Sequence, residues 1–143
     1  MPPKTESLNS DRPKDIARAA ALLKQGKLVA VPTETVYGLA ANGLSADAVE
    51  AVFTAKSRPA DNPLILHVTS IDAAIPLWAA TTQQLAIAAE LARAFWPGPL
   101  SVVLKAASSV PNIVTAGLAS VAIRAPAGEA VQSCLLYTSP SPR

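Results

Sequence analysis

The sequence predicts a sheet domain of α/β or mixed α+β class. Three observations carry that expectation. Short β-rich runs alternate with helical patterns along the chain. Its 143 residues fit one ordinary domain. An apolar fraction of 50% can cover a real core and is too high for a disordered chain. Much of that fraction is Ala and only 4% of residues are aromatic, so Leu, Val and Ile must carry most of the burial.

Residues 1–11 are polar and proline-bearing and read as a loose tail. A first helix follows, capped by Ser10 or Asp11. Pro13 falls in the first turn, where N–H groups lack helical partners anyway. Ile16, Ala19, Ala20 and Leu23 recur at helical spacing, and Gly26 supplies the stop. Leu28 to Val31 reads as a buried strand ended by Pro32. The stretch PTETVYGLAANGLS reads as a loop. Ser45 then caps a second helix with Val49, Val52 and Phe53 on its apolar face. That helix ends near Lys56, because Pro59 disfavours helical geometry at Arg58. LILHV (64–68) is a further strand. Thr81 and Gln84 form a capping-box pattern before an Ala-rich helix with Leu85, Ala88, Ala89, Ala92 and Phe95 on one side. WPGP (96–99) breaks that helix as a rigid corner, and LSVVLK (100–105) and SVAIR (120–124) read as strands. Asn112 and Thr115 fall in an expected loop.

Charge and cysteine content narrow the function classes. Twelve Lys+Arg against ten Asp+Glu leave +2, so no global field advertises nucleic acid or membrane. A single Cys excludes an internal disulfide and is compatible with a cytoplasmic location. One His and one Cys leave no plausible zinc site, and no metal-ligating residue is assigned. No apolar run approaches the ~18 residues of a membrane span. The N-terminus lacks the apolar stretch of a signal peptide. Phosphate-loop, dinucleotide-turn and GxSxG patterns are absent.

What remains is a polar constellation at strand and helix ends, where open α/β sheets usually hold ligands. Thr33, Glu34, Thr35 and Tyr37 follow the first strand. Lys56, Ser57, Arg58, Asp61 and Asn62 follow the second helix. His67 lies in a strand and Arg124 closes another. Lys56 and Arg58 suit a phosphate or carboxylate if both turn inward. Taken alone, they are more simply solvated cations at a helix C-terminus. Thr33 and Thr35 either contact a small molecule or satisfy local backbone groups. His67 is equally well a ligand contact or a core imidazole bonded to a carbonyl. A buried Arg124 needs an anionic partner, whether a ligand or an internal carboxylate.

Four blocks in order carry a resemblance: PTETVYGLAAN (32–42), KSRPADNPLILHV (56–68), FWPGPLSVVL (95–104) and VAIRAP (121–126). They resemble the YrdC-like family of L-threonylcarbamoyl-AMP synthases. The resemblance implies a twisted mixed parallel/antiparallel sheet flanked by helices, spanning residues 12–133. It implies an enzyme, a nucleotidyltransferase that converts L-threonine, bicarbonate and ATP to threonylcarbamoyl-AMP and pyrophosphate. The product would feed tRNA N6-threonylcarbamoyladenosine modification through transfer proteins, with ATP as substrate and Mg²⁺ accompanying it.

Residue by residue, Thr35, His67 and Arg124 resemble L-threonine contacts. Lys56 and Arg58 resemble the catalytic anchor for phosphate and reacting carboxylates, and Asn62 and Ser120 resemble ATP contacts. The alternative on the same fold is a non-catalytic double-stranded RNA-binding module, and tRNA or double-stranded RNA is a further partner the resemblance implies. Scarce aromatics and a small basic excess argue against it. A carbamoyltransferase domain of hydrogenase-maturation type would bring Cys clusters that this sequence lacks.

The family pattern continues past the VAIRAP-like strand to a Ser-x-Asn element completing the nucleotide site, and none follows Arg124. The last ten residues, CLLYTSPSPR (134–143), hold the only Cys and shift abruptly toward Ser and Pro. They resemble the forward translation of a transposase sequencing adapter; a natural Ser/Pro-rich tail is the plainer alternative. On the first reading residues 134–143 are not native and the domain is incomplete at its C-terminus. The 143-residue chain is then expected to bind ATP poorly and to turn over little.

Overall fold

The computed structural model describes residues 4–33, 36–59 and 61–138, the last three of these as backbone only. Residues 4–9 form no helix or strand, but Leu8 packs on Ile16 and Ala19, and the Glu6 carboxylate meets Arg18 at 3.3 Å. Helix α1 (Pro13–Lys24) buries Ile16, Ala19, Ala20 and Leu23, the predicted face. Its N-cap is Arg12, whose side chain caps nothing, so neither Ser10 nor Asp11 plays that part. The Asp15 carboxylate instead accepts from the Asn9 N–H at 2.7 Å, tying the preceding turn to the helix.

Strand β1 (Val29–Pro32) pairs antiparallel with β2 (Tyr37–Ala40), Val29 opposite Ala40 and Pro32 opposite Tyr37. The sequence reading left β2 inside a loop. A four-residue strand made of Tyr, Gly, Leu and Ala carries little of the β-branched signal that marks strands. Helix α2 (Ala46–Lys56) begins as predicted, with Ser45 Oγ accepting from the Ala48 N–H at 3.3 Å. It ends on Ser57 in the left-handed region, φ 51°, which re-aims the chain before Pro59.

Three strands form a second, mixed sheet. The order is β3 (Ile65–His67), β5 (Ser120–Arg124), β4 (Val102–Lys105), with β3 parallel and β4 antiparallel to β5. One face of this sheet is the core: Leu66, Val102, Val121 and Ile123 are buried, Ile123 completely, and Val49, Phe53, Val114 and Trp78 pack with them. Helix α4 (Thr82–Phe95) carries the full capping box, with Gln84 N–H donating to Thr81 Oγ1 at 3.1 Å and Thr81 N–H to Gln84 Oε1 at 3.0 Å. Its buried contacts are Ala88 and Ala92, with Leu85 beside them. Phe95 departs from the expected inward face and is 58% exposed. Small inward residues let α4 lie close to the core, and Phe95 falls at the rim of that contact.

Two short helices were unforeseen: α3 (Ile71–Ala74), which runs into a 3₁₀ turn at Ile75–Leu77, and α5 (Asn112–Thr115). Each is four residues long, too short to show a helical period. Helix α6 (Glu129–Thr138) packs on α1 and β1 and buries Cys134 against Ile16 and Ala19. No helix among the described residues is long and apolar enough to cross a membrane.

Replacing Ile123 by Ala is expected to lower stability by about 2–5 kcal/mol, because it removes apolar contacts and leaves a cavity at a fully buried position. Thr81→Ala should cost about 1 kcal/mol, since it removes one capping acceptor at an exposed helix end. Urea denaturation of the 143-residue chain measures both.

Candidate functional site

The pairing of the three-stranded sheet decides which polar groups meet. The parallel register places His67 of β3 beside Arg124 of β5. Both leave the sheet on the face opposite Ile123 and Leu66, because neighbours along a strand alternate. On the other side of β5, Val102 opposes Ile123, so Ser101 stands opposite Arg124 one step beyond the end of β4. The Arg124 Nε–H donates to Ser101 Oγ at 3.1 Å. Ser101, Arg124 and His67 therefore form a row across the end of the sheet.

Arg124 and His67 of this row open on a cleft of about 1020 Å³ lined by residues of both sheets. Val31, Leu39 and Ala40 of the hairpin line one side. Leu64 to Val68, Arg124 and the loop around Arg58 line the other. The described lining residues include the cations Lys24, Arg58 and Arg124 and a single carboxylate, Asp72. The balance favours an anionic ligand.

Arg58 is held by the turn that follows it. Its Nη2 donates to the Pro63 carbonyl at 3.0 Å and its Nε reaches toward the Asn62 carbonyl at 3.5 Å. The Asn62 N–H closes the turn on the Pro59 carbonyl at 3.2 Å. Thr33 lines the cleft, and its hydroxyl is engaged locally: it donates to the Val36 carbonyl and accepts from the Val36 N–H at 3.3 Å.

His67 keeps an exposed edge, yet enough protein surrounds its ring to push its pKa below the ordinary 6.5. Desolvation is the larger cause and the Arg124 charge the smaller. Near neutral pH the ring is thus uncharged and offers one donor and one acceptor beside a fixed cation.

The sequence-predicted residues distribute unevenly. Arg58, His67 and Arg124 share the cleft. Lys56, in the exposed last turn of α2, is not among its lining residues; the left-handed Ser57 lies between it and Arg58. The Asn62 side chain is exposed, and Asn62 touches the site through its backbone contact with Arg58. Ser120 lines a separate hollow of about 200 Å³ with Ile65, Val103 and Leu118. Thr35 lies outside the described residues. Ser101 and Asp72 were missed; only strand register reveals the first, and the second sits on an unforeseen helix.

The chain matches the model of the Sua5/YciO/YrdC family, described as "Telomere recombination", over residues 21–140. A threonylcarbamoyl-AMP synthase of Pyrococcus abyssi is 50% identical over 111 residues, 78% of this chain and 32% of that protein. One from Bacillus subtilis is 45% identical over 123 residues, 85% of this chain and 34% of that protein. The crystal structure of Pyrococcus abyssi Sua5 complexed with L-threonine superposes with a TM-score of 0.83 at 44% identity, covering 91% of this chain and 39% of that one. The chain thus spans about a third of the length of the curated relatives named here.

A lowered His67 pKa means that the folded state binds fewer protons than the unfolded chain below about 6.5. Stability from this group is complete above 6.5 and declines as acid carries the pH down through the folded-state value. NMR titration of the only imidazole should give a midpoint below 6.5 that Arg124→Gln raises without fully restoring. The urea midpoint should fall less on acidification in His67→Gln than in the unaltered chain.

Proposed function

Because this chain belongs to the Sua5/YciO/YrdC family, we propose that it carries the substrate-recognition part of a threonylcarbamoyl-AMP synthase. The observation that supports the reading most is the meeting of Arg58, His67 and Arg124 on one cationic cleft. Arg124 grips the carboxylate of L-threonine, as a planar guanidinium does best. Neutral His67 hydrogen-bonds the same substrate without adding charge. Thr35 completes the threonine contacts.

The chemistry asks for little covalent help. The threonine amine attacks bicarbonate and releases water, giving a carbamate. A carbamate oxygen then attacks the α-phosphate of ATP, and pyrophosphate leaves. Threonine's carboxylate must stay fixed while its amine stays free, which is the work of Arg124 and His67. Charge grows on the α-phosphate and on the leaving pyrophosphate, and a fixed cation stabilises it without solvent reorganisation. Arg58 supplies that cation, and Lys56 joins it if the α2 end re-aims on nucleotide binding. Asn62 and Ser120 contact the nucleotide.

Magnesium fits this site only as a companion of the nucleotide. No group of three or more His, Cys, Asp or Glu gathers among the described residues, and Asp72 is the lone acidic residue of the described cleft lining. Mg²⁺ with few protein ligands is held largely by phosphate oxygens and water. When bound it supplies charge neutralisation of the triphosphate.

The same proposal places the protein in the cytoplasm, its product passing to tRNA-modification transfer proteins. It keeps residues 12–133 as the family domain and 134–143 as a foreign tail; the source locus read through codon 134 should leave the present frame there. The relatives' names favour the synthase over the RNA-binding alternative.

Calorimetric titration with L-threonine tests the reading. Arg124→Ala is expected to weaken binding about 10–100-fold, the value of a charge-assisted pair. Absence of any L-threonine binding by the unaltered chain would remove the reading. Pyrophosphate release that requires both threonine and bicarbonate should be strong in a longer version carrying a Ser-x-Asn element and weak in these 143 residues.

A further inference from the structure

We propose that Ser101 is a positioning residue for Arg124, and that the corner from Trp96 to Leu100 serves to hold the Ser101 hydroxyl in place. The proposal deepens the reading in which Arg124 grips a carboxylate, but its geometry stands apart from that reading.

A guanidinium has five N–H donors in one plane and two edges that can take a carboxylate bidentately. One edge pairs Nε with an Nη, and the other pairs the two Nη groups. The Ser101 hydroxyl accepts from Nε at 3.1 Å and so occupies the first edge. The second edge alone remains for a bidentate ligand. The hydroxyl therefore selects which end of the arginine faces the substrate and fixes the plane in which it lies. Without it, the side chain is free to turn either edge outward, and binding must then order it.

The chain around Ser101 is secured on both sides of Arg124. Before the arginine, Ile123 pairs with Val102. After it, the Ala125 carbonyl accepts from the Gly98 N–H at 2.8 Å. Across the corner, the Trp96 Nε1–H donates to the Leu100 carbonyl at 2.7 Å. A Cβ at Gly98 would stand 2.5 Å from the Phe95 carbonyl, so only glycine lets the turn fold this tightly. The corner thus connects α4 to β4 and also delivers Ser101 opposite Arg124. From sequence alone WPGP had only a structural reading. The hydrogen bond to Arg124 gives it a part in recognition.

Two variants of equal shape isolate the hydroxyl. Ser101→Thr keeps it, and Ser101→Val replaces it with a methyl group. Both add the same bulk, so packing changes cancel in the comparison. The first readout is proton exchange of the Arg124 Nε–H, followed by NMR on the ligand-free chain. Exchange should stay within about twofold in Ser101→Thr and accelerate at least about tenfold in Ser101→Val, as expected when a hydrogen bond to a charged group is lost. The second readout is L-threonine affinity, expected to fall about tenfold in Ser101→Val and to be retained in Ser101→Thr.

Equal Nε–H exchange in the two variants overturns the proposal, whatever the affinities do. Where Arg124→Ala does weaken threonine binding, different exchange with equal threonine affinity in the two Ser101 variants also overturns it, since the hydroxyl would then orient Arg124 to no purpose. If Arg124→Ala leaves threonine binding intact, the substrate reading fails instead, and the exchange comparison still decides whether Ser101 positions the arginine.

Discussion

The burial of β5 between β3 and β4 is the constraint on which the site depends. Val121 and Ile123 are almost wholly shielded from water, and Ile123 is registered against both neighbouring strands, opposite Leu66 and Val102. A one-residue slip would turn Ile123 outward and Arg124 into the core, at a cost in desolvated charge that no partner there could offset. Hydrophobic pattern and functional geometry are therefore one choice. The same alternation that buries Ile123 presents Arg124, and the same pairings bring Ser101 and His67 to its two sides.

Electrostatics follow from that placement. Desolvation disfavours a charge on the only histidine, and the permanent cation beside it disfavours that charge further. The imidazole is left neutral, while the arginine carries the charge. Roles divide accordingly, with one group attracting an anion and the other orienting it by donor and acceptor. Arg58 stands apart from this row and spends its donors on the carbonyls of its own turn. It is a cation held at the cleft wall with its guanidinium already anchored.

Much of the fold was legible where local chemistry punctuates the chain. Ser45, the Thr81–Gln84 box and Gly26 mark helix ends by side-chain or backbone chemistry, and the structure places helix termini there. Helices α3 and α5 were not legible, because four residues are too few to display a helical period, and strand β2 was not, because Tyr, Gly, Leu and Ala carry little β-branched signal. Helix α6 was not legible either, since it runs into the stretch read as a tail. The site was legible residue by residue and much less so as an arrangement. His67 and Arg124 could be singled out, but their adjacency is a matter of which strands pair. Ser101 carries no signal of its own: it is an ordinary polar residue until register sets it opposite an arginine. Lys56 and Arg58 looked alike in sequence, and one left-handed residue between them set them on different paths.

The cleft has walls that belong to different sheets, and the described strands of β1–β2 share no ladder with those of β3–β5–β4. Its breadth is consequently governed by side-chain packing, including Val49 and Val52 of α2, rather than by backbone hydrogen bonds. Packing yields to small displacements more readily than a ladder does. A molecule reaching from the hairpin wall to Arg124 would brace two otherwise separately built halves. Occupancy and rigidity in this protein should rise together.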